Sequence, residues 1–257
     1  MGDAARLAAT VPTWGGDACP DASPLVVLTV YFCGTAGVLG PPATTQIGLF
    51  FNLTVGADIT HSLTAGVATR QPSSAGVGGP ADEQHFKMGF DGCGETNGCL
   101  GLLFAHGLTA QCRVVCSRVQ AFLAASRCVR LNVLGLSRGG MAAMKLTQML
   151  SDIDPSSLEV NICLFDPVPG NLIVTAAVDW TCGGRISIAR QSVDLSASRN
   201  LASALAIYPH EPLPALAFHA PIIPRYPERA RCEELVTLGC HQGALWVQIS
   251  LFDPSMR

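Results

Sequence analysis

The chain has 257 residues, 49% of them hydrophobic and only 14% charged, with a formal net charge of -3. That length suits one α/β domain with a large buried core. The weak negative charge and the lack of any basic run argue against nucleic acid as a partner.

Residues 1–23, "MGDAARLAATVPTWGGDACPDAS", have no basic start followed by an apolar core, so they read as a flexible tail and not as a signal peptide. Residues 24–257 are expected to form one domain. The stretch from Ala22 to Ala57 carries no charge, but Gly34, Gly37, Gly40, Pro41 and Pro42 interrupt it well short of the roughly 20 apolar residues of a spanning helix. Within it, "LVVLTVYFC" (25–33) is β-branched and apolar on both faces, the pattern of a central strand in a parallel sheet. "TTQIGLFFNLTV" (44–55) has a threonine cap and apolar residues at helical spacing, which predicts a helix. Residues 70–84 read as a loop. "HFKMGFDGCG" (85–94) predicts a short strand running into glycines, and residues 98–125 keep helical spacing with a break near Gly107.

"VRLNVLGL" predicts the next buried strand, and a helix follows from Arg138 to about Ser151. "LEVNICLFD" (158–166) is another buried strand. "GRISIARQS" and "ALAIYPHEPLP" continue the sheet less clearly, and "TLGCHQGALWVQISLF" predicts a short closing helix after a Gly-rich loop. Apolar strands alternating with helices predict a mostly parallel sheet between helical layers. The eleven cysteines match no zinc-site spacing, so reduced thiols and a cytoplasmic setting are expected, with no metal or cofactor.

Between the predicted strand and helix stands Gly135-Leu136-Ser137-Arg138-Gly139, a G-x-S-x-G pattern. Small residues two positions either side of a serine allow a sharp, strained turn that lifts its hydroxyl above the sheet at a helix N-terminus. A serine needs a base to become a nucleophile. Of six histidines, His61 and His85 precede the serine, His106 lies on an apolar helix, and His210 and His219 sit among prolines. His241, alone in the late loop "LGCHQG", fits the order serine, acid, histidine that such motifs follow in α/β-hydrolases. Asp166, ending the strand after the nucleophile helix, would emerge at the same sheet edge as Ser137 and is the expected acid, with Glu211 and Asp194 as alternatives. The backbone N–H of Arg138 and those of the "CGTAG" loop, at Gly34 and Thr35, are the expected oxyanion donors.

Taken together, "YFCGTAG", "GFDGCG", "LGLSRGG", "LFDPVPGN" and "LGCHQG" resemble an uncharacterised α/β-hydrolase domain family related to the type VI secretion phospholipase effectors. The resemblance implies a three-layer α/β-hydrolase-like fold and a serine hydrolase acting on carboxylic or lipid esters. The implied partners are small ester or lipid substrates, with peripheral membrane contact left open. The aspartate this family carries after its first strand is Cys33 here. Two other readings stand beside it. A dinucleotide would use Gly92, Gly94 and Gly98 as a phosphate-cradling turn, although no acidic residue follows at the expected distance. A hydrolase-like binding module without activity would leave Ser137 unreactive.

Overall fold

A computed structural model describes residues 24–35, 37–39, 45–60, 84–92, 107–168, 192–210, 221–238 and 241. In chain order the elements are β1 (Leu25–Phe32), α1 (Gln46–Leu53), β2 (Ala57–Asp58), β3 (Gln84–Phe90), α2 (Leu108–Ala124), β4 (Cys128–Leu136), α3 (Arg138–Met149), β5 (Leu158–Phe165), β6 (Leu201–His210) and β7 (Arg231–Leu238). The seven strands form one sheet in the order β2-β3-β1-β4-β5-β6-β7, and every pairing between them is parallel. This is an α/β architecture.

Alternation along β1 sends its side chains to two cores. Val26, Leu28, Val30 and Phe32 pack with the buried stripe of α2 (Leu108, Cys112, Val115, Val119, Phe122) and with Met141, Met144 and Leu146 of α3. Tyr31 and Cys33 turn to the opposite face and meet Ile47 of α1 and Leu136 of β4. The expected first helix is therefore present, and it is capped as expected: the Thr45 side chain accepts from the Gly48 N–H at 3.0 Å. Chain direction sets where a crevice opens. From β1 the chain runs outward to β3 on one side, then crosses back to β4 on the other. Connections leave β1 and β4 toward opposite faces, which parts them at the carboxyl ends of those strands.

Several expectations need correction. β7 was not anticipated. Its sequence, "RCEELVTL", has no apolar alternation because as the edge strand it is exposed along nearly its whole length. β4 and β5, expected as buried apolar strands, carry polar side chains that bond in a row across to β6: Asn161 donates to Asn132 at 3.2 Å and accepts from Ser203 at 2.6 Å. The break expected near Gly107 is present: a helix begins at Leu108, after Gly107 at φ 99°, while residues 98–106 lie outside the described set. So do the tail, most of "GRISIARQS", and the expected C-terminal helix apart from His241. Among the described cysteines, Cys33, Cys112, Cys116, Cys163 and Cys232 are free thiols as expected, but Cys128 is disulfide-bonded. Among the described residues no helix is long and apolar enough to cross a membrane.

Candidate active site

Ser137 occupies the one position between the last residue of β4 and the first of α3. Its backbone is at φ 54°, ψ -118°, a region that a residue with a Cβ adopts only when its surroundings impose it. Those surroundings are visible. The Ser137 N–H donates to the Phe165 carbonyl at 2.9 Å, and its carbonyl accepts from Gly140 at 2.9 Å and Val168 at 3.3 Å. The two flanking glycines permit the tight turn. A Cβ on Gly135 would lie 2.3 Å from the Gly139 carbonyl oxygen, and one on Gly139 would lie 2.1 Å from the Phe32 carbonyl oxygen. The start of α3 is thus pressed against the end of β1. The Ser137 side chain does not cap its own helix, so that common use of a serine here is not what holds it.

Asp166 sits one residue beyond β5, as Ser137 sits one beyond β4, and the strands are in register at Leu136 and Phe165. The two residues therefore leave neighbouring strands side by side at the same edge. Asp166 also has a positive φ, 44°, and its N–H is held by the Ile207 carbonyl at 2.8 Å. Its Oδ2 is hydrogen-bonded to Nδ1 of His241. Ser137, Asp166 and His241 are all buried. A carboxylate can only accept, so the Nδ1 atom of His241 carries a proton, and in the neutral ring the lone pair is on Nε2.

The loop after β1 abuts the serine turn. The Arg138 guanidinium donates through Nη1 to Thr35 Oγ1, which ties that loop to the residue after the serine. Gly34, buried, and Thr35, half-buried, stand in this loop. The loop is braced from behind by the segment after β3: Gly92 N–H donates to Gly37 O at 2.8 Å, Leu39 N–H to Asp91 Oδ1 at 2.9 Å, and Cys33 N–H to Phe90 O at 3.0 Å. A Cβ on Gly92 would meet the Gly34 carbonyl oxygen at 1.6 Å. The first glycine of the dinucleotide reading is accordingly taken up by contact with this chain's own backbone. Gly94 and Gly98 lie outside the described residues.

Other candidates are elsewhere or not described. Asp194 is exposed and accepts from the N–H and hydroxyl of Ser196 at 3.0 and 2.6 Å, a turn-forming role. Glu211, His61, His106 and His219 lie outside the described residues, His210 ends β6, and His85 is exposed on β3. Cys33 is buried beside the site, but burial first and the Asp91 charge second push its thiol up to about 12, so it is no competing nucleophile at neutral pH. Sequence patterning missed Tyr208 of β6, whose phenol is raised by burial, by Glu234 and by Asp166. Its signal was only a tyrosine near a strand end. Its hydroxyl donates to the Ile222 carbonyl at 3.2 Å. Among the described residues no group of His, Cys, Asp and Glu could hold a metal. No protein-family model, curated protein or solved structure matches this chain.

Proposed function

We propose that this protein is a serine hydrolase of the α/β-hydrolase type that cleaves carboxylic esters through an acyl-enzyme on Ser137. The observation that carries the reading is the buried Asp166–His241 hydrogen bond beside a serine held at positive φ between two crowded glycines.

The chemistry follows from the roles of the groups. His241 Nε2 takes the Ser137 proton as Oγ attacks the ester carbonyl, while Asp166 holds the ring in the required tautomer and stabilises the imidazolium. The negative charge forming on the carbonyl oxygen is met by the Arg138 N–H at the start of α3 and by an N–H of the Gly34–Thr35 turn. Nε2 then returns the proton to the departing alcohol. A water, deprotonated by the same nitrogen, attacks the acyl carbon and releases the acid. No cofactor enters this balance.

Lipid esters are the favoured substrate class. Val38, in the loop after β1, and Phe50, which stacks on Phe165 at 6.0 Å between centroids, are large apolar side chains left exposed on this side of the sheet. A fluorophosphonate tests the reading. Wild-type protein should be labelled covalently, Ser137→Ala should not, and His241→Ala should be labelled far more slowly. Folded wild-type protein that stays unlabelled would make the chain a hydrolase-like binding module. Five free thiols among the described cysteines fit a reducing, cytoplasmic setting, against which the Cys128 disulfide stands.

A further inference from the structure

α1 departs from the pattern of a surface helix. Its inner side is apolar as expected: Ile47 is fully buried with Leu136 and Tyr31, and Phe51 meets the Tyr31 ring edge-on at 5.6 Å between centroids. Its outer side is apolar as well. Phe50 and Leu53, one turn apart, are 38% and 69% exposed, and Val55, just past the helix, is 71% exposed. Gln46 and Asn52 are the only polar side chains of this helix. A helix with so little polar surface is stable where its outer side also meets an apolar medium. Val38 extends the patch. Its neighbour Leu39 meets Phe51 over Gly89, where a Cβ would lie 2.3 Å from Leu39 Cδ1 and 3.0 Å from Phe51 Cε2.

Three features say what medium that is. First, no charged residue occurs from Ala22 to Ala57, so the patch offers a protein partner nothing for charge pairing. Lys87 spends its ammonium on the carbonyls of Phe51 and Thr54, at 2.9 and 3.0 Å, and on the Phe51 ring, 4.7 Å from its centroid. Second, the helix ends are satisfied within the protein. Besides the Lys87 bonds, the Phe50 carbonyl accepts from the N–H and hydroxyl of Thr54 at 2.9 and 2.8 Å, and Thr45 caps the Gly48 N–H. Backbone satisfied without water is what entry into an apolar layer requires. Third, the patch runs into the candidate site. Phe50 stacks on Phe165, the residue before Asp166, and Ile47 packs with Leu136, the residue before Ser137.

We propose that α1 and the loop at Val38 dock the protein on a zwitterionic lipid surface, with Phe50, Leu53 and Val55 entering the acyl layer. Such docking is driven by apolar burial and not by attraction to anionic headgroups. The choice of lipid over a second copy of the chain rests on the ester-hydrolase reading. Docking there would deliver an ester from the layer to Ser137.

Flotation of the full chain with vesicles of diether phosphatidylcholine, which holds no ester to hydrolyse, tests this. Wild-type protein should float with the vesicles, equally in low and high salt and with or without added phosphatidylglycerol. Leu53→Ser/Val55→Ser should bind at least about tenfold more weakly, with circular dichroism and fluorophosphonate labelling unchanged. Should that variant fail to fold, Leu53→Gln, a good helix former at an exposed position, should weaken binding by itself. No flotation, binding that depends on anionic lipid, or full binding by the folded variants each overturns the proposal. So does a dimer in light scattering that the double variant splits, because a second copy would then cover the patch. Vesicle binding without fluorophosphonate labelling would remove the hydrolase reading and leave the docking surface; labelling without vesicle binding would do the reverse.

Discussion

Gly135 and Gly139 close on each other across the turn that carries Ser137, so tightly that a Cβ on the first would stand 2.3 Å from the carbonyl oxygen of the second. That contact is to backbone, which cannot swing aside as a side chain can. The spacing of the two glycines is therefore a steric condition for the serine's position, independent of what the serine does.

Gly139→Ala should be among the most damaging small substitutions in the chain. Its Cβ would meet the Phe32 carbonyl oxygen at 2.1 Å, so β1 and α3 must separate. A loss of about 3 kcal/mol, at the upper end for overpacking, is expected from urea unfolding. Gly37→Ala, whose nearest contacts would be at 3.0 and 3.2 Å, should cost less.

Asp166→Asn should leave the fold intact and reduce ester turnover by about 10⁴-fold. Asparagine tolerates the positive φ of 44° at this position, so the backbone keeps its course while the ring of His241 loses its carboxylate. Asp194→Asn, altering an exposed turn, and Glu211→Gln should leave turnover near wild type. A collapse of activity in the Glu211 variant, with Asp166→Asn active, would move the acid to Glu211.

Cys33 should resist alkylation despite its place beside the site. With its thiol pushed up to about 12, only about one molecule in 10⁴ is thiolate at pH 8, and the fraction rises with pH. Iodoacetamide followed by peptide mass mapping should modify the exposed Cys232 first, and Cys33→Ser should remain active. Titration of the denatured, unreduced protein should find at most nine thiols, since the Cys128 disulfide removes two of the eleven.

Glu159 should make folding less favourable as pH rises. Burial raises its carboxyl above the ordinary value of 4.5, outweighing the Asn161 hydrogen bond and the charges of Arg130 and Arg231. A raised acid contributes stability that is complete below 4.5 and is lost as pH climbs through the folded value. Urea midpoints measured across this range should fall less for Glu159→Gln than for wild type; parallel profiles would contradict the assignment.

What the sequence determined by itself is local. A β-branched run ending in a glycine-flanked serine and passing straight into an Ala/Met helix is written in consecutive residues, because strand and helix periods and the sterics of one turn act over a few positions. The end of β5 at Asp166 was legible for the same reason. The bond between Asp166 and His241 joins residues 75 positions apart, and only the tertiary structure brings them together. The same holds for Gly92, whose lack of a side chain suits phosphate as well as it suits the carbonyl of Gly34 until the two loops are seen in contact. β7 has no apolar alternation because an exposed edge strand buries neither face, so hydrogen bonding to β6 alone makes it a strand.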